Sequence, residues 1–185
     1  MRGPASSSRT SRRKTLSRRR WWKRGGRQGR ECGGMSAESV TIRDIRPDEL
    51  PALLELYRHL HAEDDEPSSP SAYAQVWEGI CANPLLHYFG AEVDDRLVAT
   101  CTLTIIPNLT RAARPYGVIE NVVTHPDYRK RGIATDLLRH ALDFAKAEHC
   151  YKVMLLTSRK DEATLRFYEQ AGFSAGVKTG FVAKL

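Results

Sequence analysis

The sequence predicts an α+β domain, a mixed central β-sheet flanked by about four helices, behind a disordered basic arm. Three observations carry this. Val40 to Arg46 and Arg96 to Ile106 alternate apolar and polar side chains at period two, the pattern of half-buried strands. Ala134, Leu138, Ala141, Leu142 and Ala145 fall on one helical stripe, and the short apolar run from Lys152 to Leu156 follows, giving a strand-helix-strand unit. Strands outnumber helices and hairpins join most of them, which favours a mixed sheet over a doubly wound one.

The elements follow in order. After the first strand, Pro47-Asp48 opens a stretch with Leu50, Leu53, Leu54, Tyr57 and Leu60 at helical spacing. An acidic, proline-rich loop from Glu63 to Pro70 leads to a second helix from Tyr73 to Ala82, closed by Asn83-Pro84. Leu86 to Val93 and Arg96 to Ile106 flank Asp94-Asp95 and read as a hairpin. A turn at Pro107-Asn108 and a basic loop with Arg111 and Arg114 precede a strand from Tyr116 to Thr124, ending at His125-Pro126. The next helix begins near Ala134 and runs to about His149. Asp161 to Gln170 reads as the last helix, stopped at Ala171-Gly172, and Phe173 to Leu185 as one or two final strands.

Charge divides the chain. Of 185 residues with net charge +7, the first 34 hold twelve of the 29 basic residues and one of the 22 acids, leaving 17 against 21 afterwards. The arm, residues 1–34, is built from Arg, Ser and Gly and cannot bury enough apolar surface to offset the entropy of ordering it. Trp21 and Trp22 among arginines leave a nucleic-acid or membrane-surface tail open, as they do a transit peptide, while Met35 offers an alternative start. Residues 35–185 form the folded domain, for which nucleic acid is not an expected partner. No apolar run approaches the roughly 20 residues of a membrane-spanning helix. Cys32, Cys81, Cys101 and Cys150 show no CxxC spacing and read as reduced thiols of a cytoplasmic protein.

Chemistry concentrates in Arg129-Lys130-Arg131-Gly132-Ile133-Ala134-Thr135, a basic, glycine-containing turn at a helix start. The first turn of a helix carries unpaired N–H groups and a partial positive charge, and small residues let a phosphate approach the backbone. The P-loop pattern GxxxxGK[ST] and the dinucleotide pattern GxGxxG are both absent. The histidines show no metal-ligand pattern, so no metal is expected, and no GxSxG elbow suggests a hydrolase.

Here the sequence resembles the GCN5-related N-acetyltransferase family, whose acetyl-CoA motif is [Q/R]xxGx[G/A] between its fourth strand and third helix. Arg129, Gly132 and Ala134 match it, and Phe167-Tyr168-Glu169-Gln170-Ala171-Gly172-Phe173 resembles the family's FYExxGF signature. The resemblance spans Thr41 to Leu185. Ile119-Glu120-Asn121-Val122-Val123 and Cys150-Tyr151-Lys152-Val153 are most similar to the glucosamine-6-phosphate N-acetyltransferase branch, with Asn121 standing where that branch usually has Asp and Thr164 where it tends to have Asn.

The resemblance implies the family's fold, acetyl-CoA as co-substrate held by Val122, Val123, Thr124 and the turn from Arg129 to Thr135, and a homodimer. It also implies direct transfer to a primary amine of a small molecule, an amino sugar, polyamine or related amine. A protein or peptide acceptor stays open, as does a module that binds acetyl-CoA or nucleic acid without turnover. An alkyl ammonium with a pKa near 10.4 must lose a proton before attack, and Glu120, between apolar neighbours, is the candidate base. A solvated Glu120, or one paired with Arg111 or Arg114, is the alternative. Tyr168 is the candidate proton donor to the departing thiolate. The acidic loop Glu63 to Glu66 would suit a cationic amine.

Overall fold

The computed structural model describes residues 39–60 and 69–183. The readings made for the arm and for the acidic loop Glu63 to Glu66 lie outside these. Two adjacent aspartates, Asp94 and Asp95, take positive φ (48° and 59°), the conformation that a tight two-residue hairpin turn demands. They join β2 (Leu86–Val93) to β3 (Arg96–Ile106) at the pair Val93↔Arg96. β1 (Val40–Asp44) pairs antiparallel with β2, and β4 (Tyr116–Thr124) with β3. β5 (Val153–Leu155) then adds in parallel to β4, so the sheet order is β1-β2-β3-β4-β5. Mixed pairing with one helical crossover is the architecture that the alternating runs predict.

Both faces of β3 are buried, more completely than one-sided alternation suggests. A bulge where Ala91 pairs with Ala99 but Glu92 with Leu97 changes the parity of β3. Ala99, Cys101, Leu103 and Ile105 therefore pack under α3 (Ile133–Ala147), against its buried stripe of Leu137, Leu138, Ala141 and Ala145. Leu97 belongs to the opposite face, with Ile45, Trp77 and Val123 and with Leu53 and Leu56 of α1 (Leu50–Tyr57). α2 (Pro70–Ala82) supplies Trp77, whose indole Nε1 donates to the Pro47 carbonyl at 2.8 Å. This helix starts three residues earlier than the apolar spacing indicates, because a proline suits the first helical turn.

An ion-pair cluster ties β1 and β2 to the turn before α1. Arg43 donates to both oxygens of Glu49 at 2.7 Å and also to Glu92, while Glu49 accepts the Arg46 N–H at 2.7 Å. Hydrogen bonding from Arg43 holds the Glu49 carboxyl below its ordinary pKa.

The last helix, α4 (Glu162–Gln170), is capped by Asp161, which accepts the Thr164 N–H at 2.9 Å. It ends at Gly172 (φ 105°), where the Phe173 N–H turns back to the Tyr168 carbonyl at 3.1 Å. The expectation of further strands beyond Phe173 is corrected: residues 173–183 form none. Gly176 (φ 73°) interrupts the alternation, and β5 offers an edge only three residues long. Without a neighbour to pair with, Val177, Phe181 and Val182 stay exposed.

Candidate active site

The site begins with an irregularity in β4. Thr102 pairs with Glu120 and Thr100 with Val123, so β4 carries one residue more than β3 across that interval. Asn121 absorbs the excess with φ 52°, a left-handed conformation that asparagine tolerates better than most side chains. Pairing to β5 covers only Gly117, Val118 and Ile119. From Glu120 to Thr124 the outer edge of β4 has no strand beside it among the described residues. Gly117 makes the close start of this junction possible: a Cβ there would come within 2.9 Å of Leu103 Cδ1 and 3.2 Å of Val153 Cγ2.

The side chains of Val122 and Val123 point to opposite cores, Val122 toward the α3 face and Val123 toward the α1 face. What they can offer a cofactor is backbone. Thr124 is drawn to the following turn by Arg129, whose Nε donates to its carbonyl at 3.0 Å. That turn runs through a 3-10 segment, Pro126–Tyr128, then Lys130 (φ 61°) and Gly132 (φ 80°), and α3 starts at Ile133. The Asp136 N–H makes a helical bond to the Gly132 carbonyl (3.1 Å), so the N–H groups of Ile133, Ala134 and Thr135 precede the helical ladder. A Cβ at Gly132 would meet nothing within 4 Å, so glycine is required there for its φ and the space beside it is open. Arg131 lies over the Tyr128 ring at 5.0 Å.

The two candidate catalytic side chains come within electrostatic reach of each other. Glu120 projects from the bulged strand and is exposed. Tyr168, on α4, is half-buried beside Phe167 and Phe173. Burial raises the Tyr168 pKa, Arg159 and the Thr157 side chain offset part of that, and the Glu120 carboxylate adds to the rise. The phenol therefore stays protonated at neutral pH with a carboxylate in electrostatic reach. The alternative pairing of Glu120 with Arg111 or Arg114 gives way to other contacts. Arg114 donates to the His149 and Cys150 carbonyls at 3.2 Å each, and Arg111 lies 5.9 Å over the Tyr151 ring.

Two features escape sequence reasoning. Lys152 carries its ammonium 5.1 Å over Tyr116 and 5.5 Å over Tyr151, with Met154 Sδ at 3.1 Å, so a cation-rich aromatic corner stands at the start of β4 and β5. Tyr57, at the end of α1, packs in the same cluster as Val123 and keeps a buried hydroxyl without a hydrogen-bond partner among the described residues. Its place in an ordinary helical stripe gives no signal. Among the described residues no cluster of three or more His, Cys, Asp or Glu could hold a metal ion, and no helix is long and apolar enough to cross a membrane.

A five-stranded mixed sheet thus carries a bulge on β4, with a glycine turn at a helix start after it. The chain belongs to the acetyltransferase (GNAT) family, whose model matches residues 50–173, and is an N-acetyltransferase. It is 32% identical over 141 residues to a glucosamine 6-phosphate N-acetyltransferase of Trypanosoma brucei brucei, covering 74% of this chain and 90% of that one. The solved structure of a putative acetyltransferase from Agrobacterium tumefaciens str. C58 shares 48% identity and a TM-score of 0.73, covering 78% of this chain and 99% of that one. Glucosamine-6-phosphate N-acetyltransferase from Arabidopsis thaliana shares the fold, with a TM-score of 0.69 at 22% identity over 80% and 99% of the two chains.

Proposed function

We propose that the protein moves the acetyl group of acetyl-CoA to the primary amine of a small molecule by direct attack, with Glu120 as base and Tyr168 as acid. The observation that supports this reading is that the Glu120 carboxylate lies within electrostatic reach of the half-buried Tyr168 phenol, beside the part of β4 that β5 leaves unpaired. The residues present fit a diphosphate-bearing thioester. The turn from Arg129 to Thr135 joins free helix N–H groups to exposed cations beside the open flank of Gly132, and the uncovered edge from Val122 to Thr124 offers main-chain groups to an amide-rich arm. Bound there, acetyl-CoA supplies an activated acyl group.

The amine arrives as an ammonium and must lose a proton, which Glu120 takes directly or through water. The new C–N bond forms as the C–S bond breaks, and Tyr168 gives its proton to, or shares it with, the leaving sulfur. A phenol held neutral by burial suits that donation. Tyr116, Val118 and Glu120 alternate along one face of β4, so the Lys152 corner lies on the face of the candidate base. An amine carrying an anionic group fits such a surface, and an amino-sugar phosphate is the acceptor supported by both this charge pattern and the trypanosomal relative. Asn121 keeps the left-handed bulge as an aspartate would, and Thr164 donates its hydroxyl to the Asp161 cap at 2.9 Å. The thiols of Cys101 and Cys150, which form no disulfide among the described residues, suit a cytoplasmic setting. The exposed Val177, Phe181 and Val182 support a homodimer through the C-terminal segment.

The test is incubation with labelled acetyl-CoA and a panel of glucosamine 6-phosphate, free amino sugars, polyamines and peptides. Transfer to a small amine, with Glu120→Gln lowering turnover by about 100-fold or more, is the expected result. Transfer to peptides alone, or an unchanged Glu120→Gln rate and pH profile, overturns it.

A further inference from the structure

Among the described residues the buried polar side chains are Thr100 and Thr102 of β3. Cys101, between them, belongs to the core under α3, so alternation turns both threonines to the other face of the sheet. A buried hydroxyl needs a partner, and each finds one on a different neighbouring strand. Thr100 Oγ1 donates to the Phe89 carbonyl of β2 at 2.9 Å, and Thr102 Oγ1 donates to the Glu120 carbonyl of β4 at 3.0 Å. The two threonines bracket the interval across which β4 carries its additional residue.

The carbonyl that Thr102 holds is one half of a peptide group whose other half is the Asn121 N–H. That group is planar, so fixing the carbonyl fixes the plane from which Asn121 departs. Asn121 has φ 52°, and rotation of this single peptide would return it to the extended conformation of an ordinary strand. The hydroxyl bond is made in the bulged orientation and lost when the plane turns, because the carbonyl then points elsewhere. Glu120 lies at the near end of the same plane, so a turn that irons out the bulge also redirects its carboxylate.

We propose that Thr102 is a positioning residue: its hydroxyl anchors the peptide between Glu120 and Asn121 in the orientation that makes the bulge, and thereby directs the carboxylate of Glu120. The consequence for turnover rests on the reading of Glu120 as the base, but the anchor itself is a property of the protein without substrate. Thr102→Val keeps the β-branched shape suited to a strand and removes only the donor.

Steady-state kinetics on the panel amine that the wild type acetylates fastest should show Thr102→Val, and likewise Thr102→Ala, lowering kcat about tenfold with KM for acetyl-CoA within about twofold, because a misdirected base acts on the chemical step. Thr102→Ser returns the donor and should recover kcat to within about threefold of wild type. Thr100→Val removes the neighbouring buried hydroxyl, whose partner is on β2, and should leave kcat within about twofold. An unaltered kcat in Thr102→Val, an equal fall in Thr100→Val, or no recovery in Thr102→Ser overturns the inference. A second readout needs no turnover. A residue at positive φ gives a strong NOE between its own N–H and Hα protons. In isotope-labelled free protein that signal of Asn121 should weaken in Thr102→Val and persist in Thr102→Ser and Thr100→Val. A signal unchanged in Thr102→Val overturns the anchor. A weakened one in a protein that acetylates no amine in the panel upholds the anchor and overturns the acceptor reading.

Discussion

Arg129 turns back onto the strand it follows, its Nε donating to the carbonyl of Thr124 at 3.0 Å. The residue at the head of the basic motif thus spends one donor on the main chain, tying the open end of β4 to the turn before α3. Lysine offers a flexible point charge and not a planar fork, so it does not replace that tie. Arg129→Lys should raise KM for acetyl-CoA about fivefold with kcat changed less than twofold, as initial-rate measurements will show. An equal fall in kcat would assign Arg129 to the chemical step instead.

Gly132 combines a left-handed φ with open space beside its Cα. Asparagine tolerates that conformation at modest cost. Gly132→Asn should leave Tm within about 3 °C of wild type, because about 1 kcal/mol corresponds to only a few degrees in a domain of this size. Its side chain occupies the space assigned to the diphosphate, so calorimetry should show acetyl-CoA binding at least fivefold weaker. Undiminished affinity would remove the turn from the cofactor site.

Tyr168, the proposed proton donor, carries its phenol on a ring that packs against Phe167. Tyr168→Phe preserves that packing. Turnover should fall by about 100-fold while the dissociation constant of acetyl-CoA changes less than threefold. Stopped-flow thiol release and equilibrium binding separate the two, and a variant as active as wild type would dismiss the proton-donor role.

Acid should unfold the domain in two stages. His140 sits edge-on to Phe89 at 4.9 Å, and burial pushes its pKa down, with Asp44 and Asp143 opposing that only in part. It is neutral in the fold and protonates more readily when unfolded, so stability falls as pH drops through about 6.5. Glu49 has the reverse linkage. Its lowered pKa contributes stability above the unfolded value of about 4.3, which is lost as pH falls through the folded value. Thermal melts from pH 8 to pH 3 should show His140→Gln flattening only the upper stage and Glu49→Gln only the lower. At pH 7, Glu49→Gln should also cost about 3 kcal/mol, because the side chain of Arg43 is only 11% exposed and loses its principal partner.

Much of this was legible from local chemistry. Asp94-Asp95 announces a hairpin because its residue type tolerates the turn, and Gly132 announces a turn into a helix because glycine accepts the left-handed conformation found there. The bulge at Asn121 has no such signature. Ile119-Glu120-Asn121-Val122-Val123 reads as a plain strand, and only pairing against β3 reveals the additional residue. The three left-handed residues Arg111, Ala112 and Ala113 (φ 56°, 58° and 57°) are equally silent, since none is glycine. The alternation beyond Phe173 misleads for the opposite reason: strand propensity without a partner edge does not make a strand.

The division of β4 at Ile119 has a genetic corollary. In its first half the strand is hemmed in on both sides and Gly117 has no room for a methyl group, so tolerance to mutation there follows side-chain volume. In the second half no strand covers the outer rim among the described residues, and conservative exchanges among Val, Ile and Thr at positions 122 and 124 should pass selection. Proline should not, since it deletes an N–H from the rim proposed to hold the cofactor.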